Sequence, residues 1–328
     1  YSGPGTYRIP GCGGNQCTIS NVESGSYGSI SLKQATAYSV NTVYAQLIED
    51  VGVAETAEMA HRLGLTMVDP EGIQRLGENA GDSYGPTLTL GAAEVSPLDM
   101  AAAYGVFAAR GLQFSATPII KVTDANGKTL EDNTKRQGRR VLAEAVADNV
   151  TDALKGVINN GTGTGANIGR PDGSAGKTGS TDDNADAWFV GYTPALSTAI
   201  WMGYSDSNTK SLRNIKGVST VYGGTIPAST WKAYMGEALK NAPAADFPKP
   251  AALAGDITAG SRRQLEDLRP QIVEPIYIDP PVTFILPPTT VLVAPTTTLP
   301  LFGFLTTTTR PRTPTTLFPT TTTTRPFP

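Results

Sequence analysis

Histidine occurs once in the 328 residues, as His61, and cysteine twice, as Cys12 and Cys17. A zinc centre takes three or four ligands, which one imidazole and two distant thiols do not supply, so no metal is expected. His61 itself falls in a helix-like stretch, where it reads as a surface or packing residue and not as a base. Charge is sparse and balanced, with 26 Lys and Arg against 29 Asp and Glu and a formal net charge of −3. There is no basic stripe and no interleaving of aromatics with Lys or Arg, which excludes the usual footprint of a nucleic-acid groove. The chain also lacks an apolar run long enough to span a bilayer. The longest, Val282 to Leu305, is interrupted by Pro287, Pro288, Pro295 and Pro300. It opens at Tyr1 with neither an initiator Met nor a signal-peptide pattern, and so reads as an internal or processed fragment.

The two cysteines flank a Gly-rich stretch, Gly11-Cys12-Gly13-Gly14-Asn15-Gln16-Cys17, flexible enough to close a small disulfide ring. The alternative is a pair of free thiols. A disulfide implies an oxidising, extracytoplasmic compartment.

Along the chain, 1–250 reads as one globular domain and 251–328 as a Pro/Thr-rich tail. Thr306-Thr307-Thr308-Thr309-Arg310-Pro311 is nearly repeated from Thr321 to Pro326, and its prolines deny it a ladder or a packed core. Within the domain, Ser31 to Asp50 has helical periodicity broken at Ser39-Val40-Asn41, which predicts two helices meeting there. Glu55 to Leu63 continues as a helix stopped by Gly64. Ser96-Pro97 opens another that ends near Gly111, and Ala143 to Ile158 forms a third long helix. Strand character runs from Thr117 to Leu130 around a turn at Asp124-Ala125-Asn126-Gly127. Ala175 to Ser180, Ala185 to Tyr192 and Leu196 to Tyr204 read as three antiparallel strands, and Pro227 to Leu239 as a closing helix with Trp231, Tyr234, Met235, Ala238 and Leu239 on one face. Helices before and after a small antiparallel sheet make an α+β fold, with a mostly helical first half.

Two short motifs could carry chemistry. Lys177-Thr178-Gly179, followed by Ser180, lies on a predicted strand, and such a tripeptide arises by chance roughly 0.1 times in this length. Its bland reading is a loop or bulge marked by Gly176 and Gly179. Ser39-Val40-Asn41 is weaker, because a Ser-x-Asn triplet arises about once by chance and reads equally as a helix cap. In this order, however, the two match the second and third parts of the Ser-x-x-Lys, Ser-Asp-Asn, Lys-Thr-Gly signature of penicillin-binding proteins and class A β-lactamases.

The resemblance extends beyond the triplets. Ser39 to Leu47, Leu90 to Tyr104, and Gly176 to Thr181 with Asp186-Ala187-Trp188-Phe189-Val190-Gly191-Tyr192-Thr193-Pro194 are similar to the transpeptidase domain of class A, bifunctional penicillin-binding proteins. A β-lactamase is disfavoured by the 138 positions between Ser39 and Lys177 and by the lack of a Glu-rich loop for a deacylating base. The resemblance implies a penicillin-binding/β-lactamase-like fold that acts without a cofactor. The implied activity is serine-type D-Ala-D-Ala transpeptidation, in the acyltransferase and carboxypeptidase class. Peptidoglycan stem peptides would be the substrates and β-lactams the inhibitors. It further implies an upstream glycosyltransferase domain and membrane anchor, with the domain on the extracytoplasmic face.

By resemblance, Ser39 would relay a proton toward the leaving amine and Asn41 would hold a substrate carbonyl. Lys177 would supply positive charge, and Thr178 and Ser180 would bind the substrate carboxylate. Gly179 would let the substrate approach the strand, and the Ser180 N–H would serve the oxyanion.

The sequence departs from the family at the nucleophile. No Ser-x-x-Lys precedes Ser39; the three strings that match, Ser174 to Lys177, Ser207 to Lys210 and Ser229 to Lys232, all follow it. The expectation is therefore a site whose acylated serine lies on a segment the sequence does not hold, leaving the fragment inactive alone. Two rival readings are a non-catalytic peptidoglycan-binding module of the same fold and a disulfide-stapled scaffold on a Thr/Pro stalk. The scaffold requires Ser39 and Lys177 to lie far apart. Asp182, Asp183 and Asp186 lack calcium-loop spacing and read as turn formers, with no role derivable for Asp186.

Overall fold

The computed structural model describes residues 1–10, 18–66, 85–134 and 136–253. All of them belong to the compact unit Tyr1–Pro287. Cys12 and Cys17, with the expected disulfide, and the tail from 254 onward lie outside the described residues.

Six α-helices are present among the described residues. They are α1 (Leu32–Tyr38), α2 (Asn41–Val51), α3 (Val53–Arg62), α4 (Pro97–Ala108), α5 (Glu144–Asn160) and α6 (Ile226–Ala238). Local chemistry sets their starts. Ser31 caps α1 through a reciprocal box with Gln34, and Ser96 accepts from the Asp99 N–H while Pro97 occupies the first turn of α4. Helix α5 turns Ala147, Thr151, Leu154, Val157 and Ile158 inward at the helical period.

Among the described residues the largest sheet has three antiparallel strands, with Ala187–Tyr192 in the centre between Ala175–Ser180 and Ser197–Met202. Side chains alternate across it. On one face Phe189 packs edge-on against Trp231 of α6, centroids 5.3 Å apart. On the other, Tyr192 meets Tyr104 and Phe107 of α4, and its hydroxyl lies 2.9 Å from that of Thr151 on α5. The cross-strand pair Gly176 and Gly191 makes room for the first cluster: a Cβ at Gly191 would sit 2.8 Å from both Phe189 and Trp231. The sheet is thus covered on both faces, and α1 packs on α5 beside it.

Some sequence expectations change. Tyr234 was placed with Trp231 and Met235 on the inner face of α6, yet it is 47% exposed. The buried line runs Ala228, Trp231, Met235, Leu239, and Tyr234 falls on its flank. Ladders too short to show a period also went unread. Thr6–Arg8 pairs with Thr18–Ser20, Ser2–Gly3 with Gly28–Ser29, and Arg213–Ile215 with Val218–Thr220. The Thr117 to Leu130 stretch forms its strands at Lys121–Thr123 and Thr129–Asp132.

An ion pair with unequal halves ties the turn after α4 to α5. Arg110 donates through Nε and Nη2 to both Asp148 oxygens, at 3.0 and 2.8 Å, with side-chain exposures of 43% for Arg110 and 6% for Asp148. Removing the arginine strands a buried carboxylate, whereas removing the aspartate leaves a guanidinium that water and Glu144 can serve. Arg110→Ala is therefore expected to lower urea-measured stability by about 2 kcal/mol and Asp148→Ala by about 1 kcal/mol. The reverse order would contradict this account.

Candidate active site

Ser39 sits where α1 ends. Its N–H bonds to the Thr36 carbonyl and the Val40 N–H to the Ala35 carbonyl, the paired closure of a Schellman turn. That turn forces the residue into the left-handed region, at φ 55° and ψ 51°, a place that usually takes glycine. Val40 anchors it from beneath, buried with Ile30, Ala35 and Val43. The break read in the sequence is thus a rigid corner that aims the Ser39 hydroxyl outward from the start of α2.

Lys177 lies on the strand Ala175–Ser180, paired with Val190. Its Nζ donates to Ser39 Oγ at 2.7 Å and to the Thr178 carbonyl at 3.0 Å. The side chain is only partly exposed and its ammonium is enclosed, so burial pushes its pKa down to about 8. Two residues 138 positions apart therefore share a hydrogen bond, which removes the reading of a scaffold with coincidental motifs.

The neighbouring residues are held from several elements. Thr178 Oγ1 lies 2.6 Å from Thr162 Oγ1, in the Gly-rich loop after α5. Ser180 Oγ accepts from the Gly223 N–H at 3.0 Å. Gly179 faces Trp188 across the ladder, and a Cβ there would meet the Trp188 Cβ at 3.2 Å. Asn41, the first residue of α2, donates from Nδ2 to the Ser20 carbonyl at 3.0 Å, so its side chain is tethered to the strand Thr18–Ser20.

In the later Ser-x-x-Lys strings the serine hydroxyls bond to backbone groups and not to the lysine ammonium; Ser207 Oγ accepts from the Lys210 backbone N–H at 3.1 Å. Ser174 is buried and donates to the Arg170 carbonyl. Lys210 lies over the Tyr204 ring. Ser229, on α6, donates to the Ile226 carbonyl. Asp186 acquires a role the sequence did not reveal: it accepts from the Trp201 indole at 2.8 Å, while its backbone N–H bonds Thr181 Oγ1, closing the turn that ends the Lys177 strand. His61 Nδ1 lies 3.1 Å from the Leu65 carbonyl, away from these groups in α3. Among the described residues no cluster of His, Cys, Asp and Glu could hold a metal, and no helix is long and apolar enough to cross a membrane.

Sequence residues Ser39, Asn41, Lys177, Thr178, Gly179 and Ser180 thus fall at the turn that ends α1, at the first residue of α2 and on one strand. Thr162 and Gly223 join them as residues that no motif pointed to. A family described as the penicillin-binding protein transpeptidase domain matches residues 10–235. Penicillin-binding protein 1A of Mycolicibacterium smegmatis is 38% identical over 251 residues, which is 74% of this chain and 31% of that protein. The Mycobacterium tuberculosis protein of the same name is 35% identical, over 72% of this chain and 30% of its own length. The structure of PonA1 from Mycobacterium tuberculosis in complex with penicillin V superposes with a TM-score of 0.65 at 32% identity, covering 78% of this chain and 67% of that one. The chain spans about a third of the length of these curated relatives.

Proposed function

Because the chain belongs to the penicillin-binding protein transpeptidase family, we propose that it carries the proton relay and carboxylate clamp of a D-Ala-D-Ala transpeptidase. The observation that carries the reading is the 2.7 Å bond from Lys177 Nζ to Ser39 Oγ. Because the ammonium donates that bond, the hydroxyl proton of Ser39 is free to go to a third group, and a proton donor poised beside a cation is what an amine leaving group needs.

In the reaction proposed, a serine on a Ser-x-x-Lys segment gives its proton to that segment's lysine as it attacks the penultimate D-Ala carbonyl of a stem peptide. The C–N bond breaks, Ser39 protonates the departing D-Ala amine and regains a proton from that lysine, and an acyl ester remains. The amine of a neighbouring stem then attacks that ester, forming the cross-link and returning the serine. Lys177 favours Ser39 as the proton carrier and draws in the terminal carboxylate, for which Thr178 and Ser180 supply hydroxyls. Asn41 holds a substrate carbonyl with the Nδ2 hydrogen that Ser20 does not use, Gly179 keeps the strand clear for the substrate backbone, and the Ser180 N–H serves the oxyanion.

The acylated serine is assigned to a segment outside this sequence, a reading supported by the three mismatched strings. The parent protein would add a glycosyltransferase domain and a membrane anchor upstream, placing residues 1–250 on the cell-wall side with 251–328 as an extended stalk.

Labelling with a fluorescent penicillin tests the reading. The chain alone should take no label; a label abolished by Ser174→Ala or Ser229→Ala would overturn the assignment of the nucleophile. In the complete protein, Ser39→Ala should slow acylation about 100-fold. A rate close to the parent's would remove Ser39 from the relay.

A further inference from the structure

Thr162 belongs to no motif, yet it touches three segments that carry the site: the end of α1, the Lys177 strand and the Gly223-Gly224 turn. It stands in Asn160-Gly161-Thr162-Gly163, where α5 ends. Its N–H donates to the Ala37 carbonyl at 3.1 Å, two residues before Ser39. Its hydroxyl lies 2.6 Å from that of Thr178. Its carbonyl is packed so closely by Gly224 that a Cβ on that glycine would come within 2.3 Å of it. Gly224 adjoins Gly223, whose N–H holds Ser180 Oγ.

The hydroxyl pair has a direction that follows from the chemistry of the ligand. Each threonine has one proton to give. A substrate carboxylate is acceptor-only, so Thr178 must spend its proton on the carboxylate when it binds one. The bond between the two threonines must then be donated by Thr162. That donation fixes the rotor of Thr178 and polarises its O–H toward the anion, since chained hydrogen bonds strengthen one another.

We infer that Thr162 is a positioning residue for carboxylate recognition: it orients the Thr178 hydroxyl toward the terminal carboxylate of the stem peptide or β-lactam. The inference rests on the carboxylate-clamp role proposed for Thr178. It assigns Thr162 to binding and not to the acyl-transfer step, because nothing connects its hydroxyl to Ser39 Oγ.

The test measures acylation of the complete protein by a fluorescent penicillin and by the methyl ester of the same compound, which lacks the anion. Thr162→Val keeps the shape and removes the hydroxyl. It should lower the second-order rate with the free acid about tenfold through weaker binding before acylation, with the limiting rate within about twofold of the parent. The ester should react equally with variant and parent, and Thr162→Ser should restore the acid rate. In the double variant Thr162→Val/Thr178→Val, the loss should not exceed that of Thr178→Val alone. An unchanged acid rate in Thr162→Val, an equal loss with the ester, or losses that multiply in the double variant would each overturn the inference. If Thr178→Val itself leaves the acid rate unchanged, the clamp fails and the inference with it. If only Thr162→Val is silent, the clamp stands and the inference alone falls.

Discussion

Lys177→Met in the complete protein is expected to lower the second-order rate of acylation by a fluorescent penicillin about 1,000-fold. Methionine keeps most of the stem's volume and deletes the charge. With it goes the hydrogen bond to Ser39 Oγ, and with it would go the proposed proton relay and attraction for a substrate carboxylate. Because Ser39 and Lys177 would act as a unit, adding Ser39→Ala should cost little more. Burial pushes the ammonium's pKa down to about 8, so the parent's rate should fall as pH rises through about 8, and this limb should vanish in the methionine variant.

Stability should move in the opposite sense. The unfolded lysine keeps its proton up to 10.5 while the folded one releases it at about 8. Between these values the unfolded chain binds more protons, so stability rises with pH across that window. Below about 8 the burial penalty is fully present, and the methionine variant should be at least as stable as the parent. A rate within threefold of the parent, or an unchanged pH profile, would exclude Lys177 from the reaction.

The second large effect is structural. Trp231→Ala should destabilise the chain by about 4 kcal/mol in urea unfolding, whereas Tyr234→Ala three residues on should change stability by less than about 0.5 kcal/mol. Trp231 is fully buried, packs edge-on against Phe189, and donates its indole N–H to the Gly191 carbonyl at 3.1 Å. Alanine leaves a cavity among Phe189, Met235 and Ala228 and removes the indole hydrogen bond to Gly191. Tyr234 has no such surroundings, since nearly half of it faces solvent. Equal losses at the two positions would mean that α6 docks differently from the arrangement described. The effect should reach the site, because α6 begins two residues after the Gly223-Gly224 pair that supports Ser180.

Much of this arrangement was legible where local chemistry acts alone. Ser96-Pro97 announced α4, Asp124 to Gly127 announced a turn, and two of the three sheet strands, Ala187–Tyr192 and Ser197–Met202, were readable to within a few residues from their apolar runs. The ladders of two or three residues near the N-terminus were not, because a period needs more than one repeat. At the site, Ser39 and Lys177 stood out by motif, but a bond spanning 138 positions has no local signature. In the sequence Thr162 is only one residue of the Gly-rich stretch Asn160 to Gly165. Its significance comes from which atoms the loop brings near it, and glycine content alone gives no such address. Asp186 was picked out with its block, while its partner Trp201 was visible only once the strands were in register.

The corner at Ser39 has a consequence for how such a sequence drifts. A non-glycine residue in the left-handed region costs about 1–2 kcal/mol, so a serine there is a locally poor choice held by the packing of Val40. Glycine would fit the turn better and would be welcomed by any pressure acting on folding alone. If Ser39 serves the proposed relay, the hydroxyl at this corner is held at the expense of the turn, and a copy of this gene released from that task would be expected to lose Ser39 to glycine while still producing a well-folded protein.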